Sequence, residues 1–319
     1  MIQKRRVGDV LIAATLLPLV GLGQSAGSPQ FGIRNVIRVG SRVELVKGGF
    51  QGLEGPTPTP DGGLYFSATA ENRIYKLDRN GTIAVWRENT NGTNGLYALK
   101  DGRLLCAEGN GRRVLSVTPA GIVTALASEY KGSPLRQPND LIPDRKGGIY
   151  FTDPARRPAP DVAPKEPGNV YYIRPGGEVA LIEGEIARPN GITLSIDEKT
   201  LYLDDTEGQF VYAFDMRGDG SIRNKRPFVK LLEPEQGSSG LRSLADGMAL
   251  DSKGRLYVAT AAGIQVIDSR GRHLGIIRLP ARARNLAFGG ARRQTLYLTA
   301  LESLYRIEML AEGPKGRAK

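Results

Sequence analysis

The chain has 319 residues, 24% of them charged, and a formal net charge of +11, so it is long enough for a large core and is not a disordered acidic or basic tail. Its basic residues fall in small scattered clusters (Lys4–Arg6, Arg112–Arg113, Arg156–Arg157, Arg292–Arg293) rather than on one dense stretch, which argues against nucleic acid as the partner. One cysteine, Cys106, and one histidine, His273, exclude an internal disulfide and a zinc site built from Cys and His, and leave a serine-type triad only His273 to draw on.

In chain order, the first segment is basic at Lys4–Arg6, apolar from Val10 to Leu22, then small at Gly23, Ser25, Ala26 and Gly27. That order predicts a secretory signal peptide over residues 1–26 and a periplasmic or secreted protein. Pro18 and the short apolar run argue against stable membrane insertion, the alternative being an uncleaved anchor. The Arg5-Arg6 pair would suit a twin-arginine export route.

From residue 40 to 310 one layout recurs. Apolar runs begin at Gly63 ("GLYFSA"), Arg103 ("RLLCAE"), Gly148 ("GIYFTD"), Thr200 ("TLYLDD"), Arg255 ("RLYVAT") and Thr295 ("TLYLTA"), 40 to 55 residues apart. Five are followed by a second alternating run, such as "RIYKLD" or "NVYYIR", and most continue through a glycine turn into a third. Each is preceded by a further strand-like run, such as "GITLS" or "GMALD". Period-2 alternation predicts half-buried strands, four to a repeat. The expected fold is all-β: a six-bladed β-propeller of four-stranded antiparallel blades around a central channel. The sixth repeat lacks an outer strand, and the N-terminal "SRVELVKG" is placed to supply it and close the ring. Residues 311–319 read as a basic C-terminal tail. Cys106, in "LLCAE", is expected to be a buried strand residue.

Ten or eleven residues upstream of the first large apolar residue of each run (Leu64, Leu104, Ile149, Leu201, Leu256, Leu296) stands one acid or amide: Glu54, Asn94, Asn139, Asn190, Asp246 and Asn285. If the first strand of each blade is innermost, these six side chains converge at one mouth of the channel. Two acids and four amides offer only oxygen donors, which suits Ca²⁺, a cation that accepts about six to eight of them; other divalent metals remain possible. Asp140, next to Asn139, would orient an amide or a bound water. Strand parity puts second-to-third connections on the same face, so the proline-rich segment 153–169, with Arg156 and Arg157, and the segment 232–245 are expected beside the metal. The Gly-Asp-Gly turn near residue 219 belongs to the opposite face.

At this point "LEGPTPTPDGGLYFS", "QPNDLIPDRKGGIYFTDP", "RPNGITLSIDEKTLYLDDT" and "DGMALDSKGRLYVAT" resemble the blade signatures of the SMP-30/gluconolactonase family, calcium-dependent propeller hydrolases that include diisopropylfluorophosphatase-like enzymes. The resemblance runs from about Val43 to Met309. It implies one catalytic divalent metal in the channel mouth, with ligand roles on Glu54, Asn139, Asn190 and Asp246. The chain departs from the family at Ala68, where many relatives carry Asp, and at Gln137, where some sugar-lactone hydrolases carry a substrate-binding Arg.

These readings converge on a metal-dependent hydrolase of lactones or related esters. Ca²⁺ would polarise the carbonyl, and Asp246 or Asp140 would act as general base or nucleophile. Asn94, Asn285, Gln137, Arg156 and Arg157 are the candidate substrate contacts. The alternative is a non-catalytic secreted propeller that binds a partner and keeps a structural metal. A strictosidine-synthase-like propeller fits less well, because its catalytic acid has no match here.

Overall fold

The computed structural model describes residues 28–159 and 162–317. The expected signal segment lies outside the described residues. Among them no helix is long and apolar enough to cross a membrane.

The six repeats form six four-stranded antiparallel sheets arranged as a six-bladed β-propeller. The innermost strands are Leu53–Pro58, Thr93–Ala98, Leu141–Pro143, Pro189–Leu194, Met248–Leu250 and Asn285–Gly289, opening blades 1 to 6. The sixth blade closes as expected: Glu44–Gly48 pairs antiparallel with Ser303–Glu308, Gly48 facing Ser303 and Glu44 facing Arg306. Joining the first and last strands of the ring in one sheet locks it, because no blade can leave without breaking a ladder.

The strands are not uniformly half-buried. Leu104–Glu108 and Ile149–Asp153 are buried at every position, whereas the outer strand Val123–Ala127 is largely exposed. A blade is packed on both faces by its neighbours, so alternation in its inner strands sorts residues between two interfaces rather than between core and water. Tyr150, Tyr257, Phe66, Phe151 and Phe288 are the largest side chains wholly removed from solvent. Cys106 is buried with Ile74, Leu96, Leu104 and Leu115, and burial pushes its thiol far up.

Many acids are occupied in the hairpins. Asp144 accepts the backbone N–H groups of Lys146 and Gly148, both at 2.9 Å. Asp251 does the same for Lys253 and Arg255, at 2.9 and 3.1 Å. These bonds satisfy turn donors that the ladder leaves unpaired.

The segment 311–317 is docked against the blades. Ser252 donates to Glu312 O (2.7 Å), Gly313 to Arg293 O (2.8 Å), and Arg317 reaches Ser195 O (2.9 Å). It crosses the channel mouth formed by first-to-second turns, beside a cleft of about 940 Å³. The Gly218–Gly220 turn lies on this same face, where Lys146 and Arg174 hold it at 2.6 Å each.

Candidate functional site

The other mouth gathers the six recurring acids and amides. Each stands at the entrance of an innermost strand, and successive blades touch there through backbone. Gly95 donates to Asn139 O (2.7 Å), Gly247 to Arg284 O (2.8 Å), and the hydroxyls of Ser67 and Thr152 reach Asn94 O and Asn190 O (2.6 and 2.8 Å). This closeness explains why glycine follows the ring residue in four blades, at 55, 95, 191 and 247. A Cβ at Gly191 would lie 2.0 Å from Asp246 O and 2.6 Å from Asp204 Oδ2; one at Gly247 would lie 2.1 Å from Asn285 Oδ1.

Glu54, Asn139, Asn190, Asp246 and Asn285 are buried, and Asn94 is half-buried. Burial pushes the Glu54 carboxyl well up, Asp246 and then Asp140 add to the rise, and Arg284 and the Asn285 amide oppose it. Burial raises Asp246 too, opposed by Arg284, Arg282 and Arg188. Acids this close cannot all ionise unaided, so the cluster calls for compensating positive charge.

Some of its oxygens have nothing to bond. Glu54 Oε2, Asn94 Oδ1 and Asn190 Oδ1 are buried without a hydrogen-bond partner. Asn190 is held in that pose: its Nδ2 donates to Thr206 Oγ1 at 3.0 Å, and Thr206 donates onward to Ala245 O at 2.8 Å. Buried oxygens left unsatisfied are costly unless a ligand completes them. Among the described residues no three His, Cys, Asp or Glu are grouped as metal ligands. An ion here would therefore rest on amide oxygens beside the two carboxylates. Such an all-oxygen set, with its lone pairs unclaimed, fits a hard divalent cation.

Asp140 is almost wholly buried and tied to backbone. Its Oδ1 accepts Leu141 N at 2.9 Å, and its Oδ2 faces Ile192 N of the next blade at 3.5 Å. Asn285 Oδ1 accepts Leu286 N at 2.9 Å. Gln137 is held through its backbone N–H, 2.6 Å from Asp153 Oδ1, and Asp153 also takes the N–H of Arg136. Asp205 braces the approach to Asn190 in the same way, accepting Arg188 N at 3.0 Å. These acids of "YFTD" and "YLDD" thus fix the strand entrances.

Asp204 was not anticipated as part of the cluster. It occupies the position filled by Ser67, Thr152 and Thr299 in other blades. Its Oδ1 accepts Gly191 N at 3.1 Å while its Oδ2 is buried and unpartnered. Burial, then Asp246, raise its carboxyl well above the usual range. The lone acid in a column of hydroxyl and small residues was the available signal. Thr206, which orients Asn190, has no sequence mark of its own.

The expected loops lie on this face. Arg157 pairs with Glu207, across the mouth of blade 4. Arg156 is exposed and lines a cleft of about 470 Å³ with Arg112, Arg136 and Lys165. Ala163 donates to Ser238 Oγ at 3.3 Å, so segments 153–169 and 232–245 touch. The second segment carries a short ladder, Glu235–Gly237 with Gly240–Arg242, that the sequence did not announce. His273 lies away from the channel, with Nε2 2.9 Å from Lys230 O.

The family model of the SMP-30/gluconolactonase/LRE-like region matches residues 53–302. A gluconolactonase of Zymomonas mobilis is 27% identical over 296 residues, covering 85% of this chain and 82% of that protein. A regucalcin of Oryctolagus cuniculus is 29% identical over 198 residues, 60% of this chain and 64% of that protein. Among solved structures, the gluconolactonase XC5397 of Xanthomonas campestris superposes with a TM-score of 0.75 at 27% identity, covering 91% of this chain and 99% of that one.

Proposed function

The chain belongs to the SMP-30/gluconolactonase/LRE-like family, and from that membership we propose that it is a metal-dependent hydrolase of lactones or related esters. Likeness to two gluconolactonases supports the substrate class. The observation that carries the reading is the set of buried, unpartnered oxygens on Glu54 and Asn190 beside the Asp246 carboxylate. We assign Glu54, Asn139, Asn190 and Asp246 as the ligands of one divalent cation, Ca²⁺ by the hardness of its donors. Bound there, the ion supplies a Lewis acid for the lactone carbonyl.

The chain's own residues do the rest. Asp246 accepts a proton from the attacking water as the new C–O bond forms at the carbonyl carbon. The ring C–O bond then breaks, and that proton passes to the departing alkoxide. Arg284, with Nη1 3.7 Å from Asp246 Oδ2, favours the ionised carboxylate that this step needs. Asp140 is anchored by backbone N–H groups and serves to position Asn139 rather than to move with the substrate. Asn94 offers its free oxygen to the substrate, and Asn285 steadies Glu54. The basic, apolar and small N-terminal segment supports a periplasmic or secreted site of action.

The test is a panel of lactones and aryl esters followed by pH-stat, with Ca²⁺, Mg²⁺, Mn²⁺ or Zn²⁺ added to EDTA-treated protein. Asp246→Asn is expected to lower kcat by about 10² or more while the circular dichroism spectrum is kept. Wild-type rates in that variant, or no turnover by the native protein with any of the four metals, would overturn the reading.

A further inference from the structure

Three guanidinium groups face the candidate site from two separate connections: Arg188 between blades 3 and 4, and Arg282 and Arg284 between blades 5 and 6. Several other arginines on this face are paired with carboxylates. Arg157 meets Glu207, and Arg278 meets Glu233 through two bonds of 2.6 Å. These three are not matched in that way. Arg188 gives Nη1 to Ala155 O at 2.7 Å, and only longer-range attraction to Asp246 and Glu207 offsets its burial. Arg282 is half-buried, and its Nε is enclosed with no hydrogen-bond partner. Arg284 stands 3.7 Å from Asp246, beyond a direct hydrogen bond, and with Glu54 and Asn94 lines a cleft of about 890 Å³.

The groups also crowd one another. Arg157 lies within electrostatic reach of Arg188, and Arg284 within reach of Arg282, so like charges repel in each pair. Holding three such charges at one mouth is unfavourable unless something negative completes them. Of the acids within reach, Asp246 and Glu54 are the carboxylates assigned to the cation, Glu207 already serves Arg157, and Glu235 is exposed. Once they serve a cation, the arginines face the channel with little to balance them. Guanidinium forks are matched in shape to carboxylate and phosphate oxygens.

We propose that the channel mouth takes lactones that carry an anionic group of their own, a carboxylate or a phosphate, and that Arg188, Arg282 and Arg284 are the specificity residues that hold it. This rests on the lactonase reading of the same site.

The experiment compares glucono-δ-lactone with its 6-phosphate and with the lactone bearing a carboxylate at C6, using the native protein, Arg282→Gln, Arg282→Lys, Arg284→Gln and the remote Arg306→Gln. Native kcat/KM should favour at least one anionic lactone by about tenfold, mainly through KM, and the two anionic arms tell phosphate from carboxylate. Arg282→Gln and Arg284→Gln should each cut that preference severalfold, Arg282→Lys should retain part of it, and Arg306→Gln should leave it intact. Calorimetry with glucitol 6-phosphate, gluconate and uncharged glucitol reads the same contacts without turnover: the native protein should bind an anionic polyol more tightly than glucitol, and Arg282→Gln should lose the difference.

If no lactone is hydrolysed but that binding difference appears and depends on Arg282 or Arg284, the lactonase reading fails and the anion site stands. If neutral and anionic lactones are hydrolysed alike, or the glutamine variants leave the ratio unchanged, the anion site is overturned and the lactonase reading survives. Should Arg282→Gln fail to fold, Arg284→Gln reads the same ratio and decides the matter.

Discussion

Replacing Gly191 by alanine probes how tightly the candidate site is built. The added Cβ would sit 2.0 Å from Asp246 O and 2.6 Å from Asp204 Oδ2. Neither neighbour can yield easily: one is backbone of the next blade, the other a wholly buried carboxylate. The innermost strands of blades 4 and 5 must separate by roughly 1.5 Å to restore contact distance. Overpacking of this kind costs about 1–3 kcal/mol. For a domain of this size that is a fall of about 2–12 °C in Tm. The same displacement parts Asn190 from Asp246, two of the four assigned ligands. Ca²⁺ affinity should therefore drop about 10- to 100-fold, the range seen when the supports of a metal site are disturbed. Differential scanning fluorimetry with and without Ca²⁺, together with calorimetric Ca²⁺ titration, measures both effects. Gly176→Ala, in an open turn with no atom within 4 Å of the new Cβ, is the control and should change neither. If Gly191→Ala keeps the native Tm and Ca²⁺ affinity, the close approach of the two strands is not what sets the site.

Thr206→Val removes the hydroxyl that holds Asn190 Nδ2 at 3.0 Å; Ca²⁺ affinity should fall about tenfold with little loss of Tm, as read by the same titration. Replacing residues 154–168 by a short Gly-Ser link should leave the fold and the bound ion in place, since the proposed ligands lie elsewhere, but should raise KM, as steady-state kinetics would show. Asp61 carries the pH prediction: its hydrogen bond from Lys76 holds its carboxyl down at about 2, below its unfolded value near 4. Its stabilisation is present above pH 4 and is lost as pH falls from about 4 to 2. Because the pair is largely exposed, Asp61→Asn should cost less than about 1 kcal/mol at pH 7, and only a small part of that at pH 2, by urea denaturation.

The architecture was legible because each blade repeats the same run of strands, and because the sixth copy visibly lacked an outer strand that "SRVELVKG" supplies. The ring of acids and amides was legible for a related reason. Its members share one address, and in four blades the following glycine records how close the next strand comes. Other features leave no periodic trace. Arg188 and Arg282 are far apart in sequence and both act on Asp246 only because two connections turn towards one mouth. Thr206 matters through a single rotamer. The docking of Arg317 against Ser195 joins a tail to a distant turn, and nothing in "GPKGRAK" marks it. Full burial of the inner strands also escaped the alternation rule, since both faces of a blade are interior.

The most direct test of the account is the initial rate of lactone hydrolysis by EDTA-treated protein as Ca²⁺ is added back, measured in parallel for the native protein and Glu54→Gln. Turnover should be absent without metal and should recover to saturation at one ion per chain, with the Glu54→Gln curve displaced to higher Ca²⁺ but approaching the native plateau. Full activity in EDTA, or identical Ca²⁺ dependence in the two proteins, would contradict it.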